Sequence, residues 1–464
     1  FERFDHVLFS HQMGSMKPSR ECFDDAVRTI GCEPGEIVFL DDSQTNVDAA
    51  RDRGLRAFRV TSPHEARGII AEFEAEANRQ LKIKSIRTVR LEIPPKPPRT
   101  KARRDTWNKT SPRSLPINYY PEFSRLPGKM PGMGGGQVWV QVTAEDGTWG
   151  LGACGFGAPS AVVIETIYAP LLVGRDCLAT EYLNDLMWRA IQRLGDAGHA
   201  TVARSAVDLA LWDLKGKLLE LPVYSLLGGP CRDAIDLYAT GDDLDWALEL
   251  GFKAFKVTNP VHYREGTEGL NRLEEKLAAA RDTVGPDADL MLNAVMSYNL
   301  DYAVQVAERL RPLHMRWLEE PLIPGDLEGH IALKKAVPWM PIATGEDHHG
   351  RIAFRQLVEN RCVDVLQPDL TWCGGLSEAV KIYTIGEAAG LQTIPHGGGN
   401  TAFGQHFAMA MPESLMAEFW LGSDPGVPLE EAGRLPGVAV PKDGRLVPSD
   451  APGFGLEIPQ EWIR

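Results

Sequence analysis

From residue 234 onward the sequence repeats one pattern eight times: a short apolar run followed by a stretch of helical periodicity. The apolar runs fall at 236–240, 252–257, 289–293, 315–319, 340–344, 363–367, 391–395 and 414–418. Eight strand–helix units predict a (β/α)8-type barrel, whose interior is filled by side chains and whose reactive groups gather at the C-terminal strand ends. A solenoid of similar period would also repeat its side-chain motifs, and none recur.

Upstream the pattern is different. A strand over 83–93, a hairpin of strands around the Asp146-Gly147 turn, and helices near 161–172, 178–194 and 200–219 predict an α+β cap over residues 82–230. Between the first strand and the hairpin, residues 94–136 are rich in Pro, Gly and basic side chains. A stretch that long without periodicity is disorder or a functional lid. Residues 1–75 alternate strands (7–9, 37–40) with helices (19–30, 45–53), which predicts part of a doubly wound, Rossmann-like α/β unit. The expected division is 1–75, 82–230, a barrel over 231–425, and a tail over 426–464 that returns to the cap.

Composition narrows the function classes. The chain of 464 residues carries a net charge of −14, which disfavours a nucleic-acid partner or an anionic membrane surface. No run of 18 apolar residues free of charge occurs, so no membrane-spanning helix is expected. Seven irregularly spaced cysteines without a Cys-x-x-Cys pair suit free thiols in a reducing, cytoplasmic compartment.

The strand ends carry the chemistry. Strand two delivers Lys256, three Asn293, four Glu319 (followed by Glu320), five Glu346, six Asp369, seven His396 and eight Glu418. From Asn293 to His396 successive groups stand 23 to 27 residues apart, about one β/α unit, so they share one level of one rim. A single acid at a strand end is ordinarily a helix cap or a solvated charge. Polar groups on successive strands at one phase are not explained that way. Asn293, Glu319 and Glu346 offer three oxygen ligands, which suits Mg2+, and the lack of thiolate or paired imidazole among them disfavours zinc. Asp369 at Nδ1 of His396 would fix the tautomer, raise the basicity of the ring and leave Nε2 free for proton transfer.

With these residues in view, residues 82–464 resemble the enolase superfamily, mandelate racemase subgroup, and within it the acid-sugar dehydratases of the L-rhamnonate dehydratase type. The likeness is carried by Ser-Ala-Val-Asp-Leu-Ala-Leu-Trp-Asp-Leu at 205–214, Trp-Leu-Glu-Glu-Pro at 317–321, Gly-Glu-Asp-His-His-Gly at 345–350, Gln-Pro-Asp-Leu-Thr-Trp-Cys-Gly-Gly at 367–375, Pro-His-Gly at 395–397 and Pro-Gly-Phe-Gly at 452–455. The resemblance implies a Mg2+-dependent lyase in which His396 removes the proton α to a carboxylate and the β-hydroxyl leaves as water. It further implies that Lys256 holds the enediolate, that Glu418 is a hydrogen-bonding acid beside a small acid-sugar substrate, and that the chain forms a homo-oligomer. Two departures stand out. Asn293 replaces the family's usual Asp, leaving two formal charges in the triad. Lys256-Val-Thr258 replaces Lys-x-Lys, which removes a second base and favours elimination over racemisation. A weakened, non-catalytic binding protein is the competing expectation.

The N-terminal residues resemble the C-terminal half of a haloacid-dehalogenase-like (HAD) hydrolase, through Ser10, Lys17 before Pro18, and Asp41-Asp42. That resemblance implies an inert remnant or truncated fusion, or a phosphatase if an upstream nucleophilic Asp exists.

Overall fold

The computed structural model describes residues 14–123, 136–432 and 435–464, with residues 74–80 and 121 described by backbone alone. The chain divides into two compact units, 1–80 and 81–464.

In the second unit all eight expected barrel strands form: Ile235–Thr240, Ala254–Thr258, Asp289–Asn293, Trp317–Glu319, Ile342–Thr344, Val365–Leu366, Gln392–Thr393 and Ala417–Trp420. They pair in parallel in the order 7-6-5-4-3-2-1-8, and Arg445–Leu446 adds an antiparallel edge to strand one. The two ends of that order meet at the mouth, where Gly399 N–H donates to the Glu418 carbonyl at 2.7 Å. Alternation along each strand sorts the side chains. Tyr238, Ala254, Met291, Trp317, Ala343, Val365 and Ile394, with Met416 beside them, fill the interior. Leu237, Phe255, Leu290, Leu318 and Leu366 face the outer helices. The interior layer mixes Tyr238 and Trp317, edge to face at 5.5 Å, with small Ala254 and Ala343, so the ring packs without a pore.

The cap is a three-stranded antiparallel sheet, Ile83–Val89, Val138–Ala144 and Trp149–Cys154. The helix His199–Leu218, buried along nearly its whole length, lies directly on the third strand. Gly150 and Gly152 permit this approach: a Cβ on Gly152 would sit 2.0 Å from the Ala206 carbonyl oxygen, and one on Gly150 2.2 Å from that of Ala210. The expected helix at 161–172 is Ala158–Val163 continued through a wider turn, Ile164–Tyr168, into Ala169–Leu172. The Pro-rich segment contains the helical turns Trp107–Thr110, Pro116–Tyr119 and Pro121–Phe123, while most of its Gly-rich end lies outside the described residues. The C-terminal residues run back to the cap, where Glu92 N–H meets the Trp462 carbonyl at 2.8 Å and Phe454 N–H meets Asp213 Oδ1 at 2.9 Å.

In the first unit, Val38–Asp41 pairs in parallel with Arg56–Arg59, flanked by Arg20–Ile30, Gln44–Arg51 and Pro63–Gln80. Phe23, Val47, Ala50, Leu55 and Ala57 form its own small core. The expected strand at 7–9 and Ser10 lie outside the described residues. All seven cysteines are free. Among the described residues no helix is long and apolar enough to cross a membrane.

Because the strand and helix backbones touch at Gly152, Gly152→Ala is expected to destabilise the protein by about 2–3 kcal/mol through overpacking. A urea-unfolding midpoint equal to that of the parent would show that the interface yields instead.

Candidate active site

The residues at the strand ends fall into two linked groups. The first is centred on Lys256, whose ammonium is buried among acids. It pairs with Glu319 and, at 2.8 Å, with Glu418 Oε1, above the ring of Tyr238. Burial alone would lower this ammonium, but Glu319 and Glu418 outweigh it and hold it well above the usual lysine value. Glu418 answers in kind: against its burial, Lys256 and then His396 hold it down at about 2. Its oxygens also accept from Thr240 Oγ1 (2.6 Å) and Gly397 N–H (2.9 Å).

Glu319 is fully occupied. Oε1 accepts from Lys256 and from Asn293 Nδ2 at 2.9 Å; Oε2 accepts from Trp317 Nε1 at 3.0 Å and Gln367 Nε2 at 2.7 Å. The amide orientation of Asn293 follows from its neighbours. Oδ1 accepts from Val295 N–H at 2.8 Å, so the NH2 faces Glu319.

The second group is centred on His396. Nδ1 faces Asp369 Oδ2 at 2.8 Å, and Nε2 lies 3.4 Å from Glu346 Oε1. The other oxygen of Asp369 accepts from both Thr371 N–H and Thr371 Oγ1 at 2.6 Å, which locks the carboxylate that orients the ring. Trp372 packs against the imidazole at 5.2 Å. Burial disfavours the imidazolium, yet Glu346, Asp369 and Glu418 together raise it well above the ordinary histidine value. The ring opens on a cavity of about 360 Å3 lined by Asp369, Thr371, His396, Asn400, Glu418 and Trp420, a size suited to a small ligand.

Glu346 has two further acidic neighbours. One ligand oxygen each from Glu320, Glu346 and Asp347 lies within 4.8 Å of the others. Glu320 is only 1 % exposed, and neither of its carboxylate oxygens has a hydrogen-bond partner; Glu346 Oε2 has none either. Burial, then mutual repulsion, raises Glu320 well above the usual carboxylate range. Burial pushes Glu346 to about 7 although His396 pulls it down, and it raises Asp347 as well.

Spacing along the chain thus brings Lys256, Asn293, Glu319 and Glu418 to one side of the mouth and Glu346, Asp369 and His396 to the other. It gave no role to Glu320 and Asp347, each beside a chosen residue, or to Gln367, which completes the shell of Glu319. It also missed Trp107 in the Pro-rich segment. That indole is 2 % exposed, donates to the Leu421 carbonyl at 2.6 Å and meets Trp420 edge to face at 5.6 Å. Its backbone N–H is held by Asp243 Oδ2 at 2.8 Å, and Arg104 pairs with Asp243 and Asp245. The indole occupies the space over Gly241, where a Cβ would lie 2.2 Å from its nitrogen. The Pro-rich segment is therefore fastened to the ends of strands one and eight, beside the cavity. Thr258 donates its hydroxyl to Asp242 at 2.6 Å and accepts from Lys276 at 3.0 Å, which leaves it no role as a base.

In the N-terminal unit, Asp41 takes Lys17 at 2.5 Å through one oxygen and Ser43 N–H and Asn46 Nδ2 through the other. These donors outweigh its burial and lower its pKa. This ion pair is a local contact, and nothing among the described residues or in the matched families supports the expected HAD-like assignment of this unit.

Comparison with known proteins places the rest of the chain. The mandelate racemase / muconate lactonizing enzyme N-terminal domain matches residues 135–228, and the enolase C-terminal domain-like family matches residues 242–462; the N-terminal unit lies outside both. An L-rhamnonate dehydratase of Saccharopolyspora erythraea is 39 % identical over 330 residues, covering 70 % of this chain and 84 % of that protein. The crystal structure of rhamnonate dehydratase from Gibberella zeae complexed with Mg is 31 % identical, with a TM-score of 0.75 over 84 % of this chain and 96 % of that one. A second L-rhamnonate dehydratase structure from Gibberella zeae gives a TM-score of 0.72 at 31 % identity, over 82 % of this chain and 94 % of that one. With cap and barrel both matched, the chain belongs to the enolase superfamily, in the mandelate racemase and muconate lactonizing enzyme group.

Proposed function

We propose that this chain is a Mg2+-dependent acid-sugar dehydratase acting on an aldonate of the L-rhamnonate type and forming a 2-keto-3-deoxy acid. One observation carries the reading: an imidazole held by Asp369 turns its free nitrogen toward an oxygen-only cluster of acids, beside a cavity large enough for a sugar acid. The donor set fits a hard divalent cation, since its atoms are all carboxylate oxygens and those of Glu320 are buried without partners. Glu346 is the ligand on which strand spacing and geometry agree. When bound, Mg2+ polarises the substrate carboxylate, acidifies the α-hydrogen and offsets the charge of Glu346.

The side chains supply the proton traffic. Asp369 keeps the Nδ1 proton of His396 in place, so Nε2 is the basic nitrogen once Glu346 no longer demands an imidazolium. Nε2 removes the α-proton, and the C–H electron pair passes into the enediolate. His396 then returns the proton to the β-hydroxyl as the C–O bond breaks, releasing water and an enol that tautomerises to the 2-keto acid. With the Thr258 hydroxyl committed to Asp242, no second base stands on strand two. Lys256 serves from within the barrel: with its ammonium turned to Glu319 and Glu418, it keeps Glu418 ionised and Glu319 in position rather than reaching the intermediate itself. Glu418, which lines the cavity, is the acid that meets the substrate.

Incubation with Mg2+ and a panel of aldonates, with semicarbazide trapping of 2-keto products, should give product from at least one sugar. Absence of product from every sugar, together with no exchange of the α-hydrogen for solvent deuterium, would favour a non-catalytic binding protein. His396→Asn should slow both turnover and α-exchange by about 10²–10⁴-fold, and exchange at the parent rate would mean that another group is the base. Lys256→Met should destabilise the fold by about 3–5 kcal/mol in urea unfolding, because it strands two buried carboxylates. Adding Glu319→Gln should recover part of that loss; no recovery would separate the two residues energetically.

A further inference from the structure

A second cavity, of about 910 Å3, lies between the Pro-rich segment and the residues that follow strands one and two. It shares no lining residue with the cavity beside His396. Its wall carries four cationic side chains, Arg113, Arg264, Arg272 and Lys276, against two acids, Asp242 and Glu265. Both acids are already paired. Glu265 holds Arg272 through one oxygen and accepts from His262 N–H at 2.7 Å through the other. Asp242 takes the Lys276 ammonium at 2.9 Å, together with the hydroxyl and backbone N–H of Thr258. Arg113 and Arg264 are left, and neither forms an ion pair with an acid among the described residues.

These two guanidinium groups are held by aromatic rings instead. Arg113 lies over Trp107 at 5.4 Å and donates to Asn108 Oδ1 at 2.9 Å. Arg264 lies over Tyr119 at 4.5 Å and donates to the Tyr119 carbonyl at 2.5 Å. Each thus commits one nitrogen to the protein, while stacking fixes the plane in which its other N–H groups point, the arrangement that recognises an oxyanion through two parallel hydrogen bonds. Burial works against the charge of Arg113, and Asp242 only partly offsets it. Burial also keeps His262 neutral; its Nδ1 accepts from Arg264 N–H at 3.3 Å, so Nε2 carries the proton. The hydroxyl of Ser114, at the same wall, is buried without a partner. In a chain of net charge −14, two positive charges left uncompensated in one cavity ask for an anion from outside.

We propose that this cavity binds a small phosphate monoester. Such a group carries about −1.5 to −2 charge at pH 7 and three acceptor oxygens, enough to meet both free guanidinium groups. A single carboxylate, with one charge, would satisfy only one of them. The volume exceeds what a phosphoryl group fills, which leaves room for a polar body such as a sugar. The site is distinct from the barrel mouth, and Trp107 touches both: Arg113 lies over its ring, and Trp420, which lines the catalytic cavity, meets it edge to face.

Calorimetric titration of the full chain with glucose 6-phosphate, at constant ionic strength and without divalent cations, tests the proposal without reference to turnover. Binding should saturate and be about tenfold or more tighter than that of gluconate or succinate, with no heat from glucose. Arg113→Gln and Arg264→Gln should each weaken it about tenfold, whereas His396→Asn should stay within about twofold of the parent. Arg113 also packs on Trp107, so Arg113→Lys is the second variant there: it keeps the charge, loses the fork and should fall between the parent and Arg113→Gln. Arg264 is exposed, so Arg264→Gln should melt with the parent, and its weakened binding then reports a lost contact and not a damaged fold. No saturable binding to the parent, or parent-like binding in both Gln variants, would overturn the proposal. So would succinate binding as tightly as the phosphate ester, or a tenfold loss in His396→Asn, which would put the anion at the barrel mouth.

Discussion

The buried pairing of Lys256 with Glu319 and Glu418 sets the conditions for everything else at the barrel mouth. Glu319, Glu320, Glu346, Asp347, Asp369 and Glu418 crowd one rim, and Lys256 and His396 are the cationic groups in contact with them. Lys256 satisfies the acids on its side, so Glu418 stays ionised at low pH. On the other side the deficit persists: Glu320, Glu346 and Asp347 are pushed up, and His396 is pushed toward the imidazolium. The rim is thus divided into a half neutralised by protein and a half that a dication can neutralise. An imidazole bridges them, and its protonation responds to whatever occupies the second half.

The same division explains why the Pro-rich segment is fastened where it is. Trp107 sits over Gly241 and against Trp420 at the ends of strands one and eight, next to the half that Lys256 already satisfies. There the mouth can be closed by apolar and hydrogen-bonded contacts without burying an unpaired charge. Trp420 lines the cavity as well as meeting Trp107, so the Pro-rich segment and the cavity share a wall. A Pro-rich segment suits this role: it gains little from its own backbone hydrogen bonds and depends on side-chain anchors such as Arg104 on Asp243 and Asp245.

Much of this was legible in the sequence because barrel strands leave a coarse mark. Short apolar runs at near-constant spacing give the strand count, and a polar residue closing each run points into the mouth. This located Lys256, Asn293, Glu319, Glu346, Asp369, His396 and Glu418 on a common rim. What spacing could not show was the direction of a side chain once the strand stops alternating. Glu320 was visible as the second acid of a pair, but its left-handed backbone, which sets the carboxylate beside Glu346, is held by contacts from strand five and from the loop after strand three. Trp107 was hidden for a related reason. Its burial depends on Gly241 and Leu421, which lie 134 and 314 residues further along, and its surroundings in sequence look like a solvated loop.

Asn293 is where these points meet. Its side chain faces Glu319, and Val295 N–H requires an acceptor from it. An Asp here could still accept from Val295, but its second oxygen would face Glu319 across the same short gap. The two carboxylates would then compete for Lys256, which Glu418 also uses. Such a pair is stable only with a cation between them. The amide removes that requirement: it donates where an acid would repel, and it leaves Glu319 and Glu418 to share one ammonium. Loss of a single negative charge on strand three therefore does more than weaken a ligand. It completes the shell of Glu319 within the protein and leaves the uncompensated charge on strands four and five, around Glu320, Glu346 and Asp347.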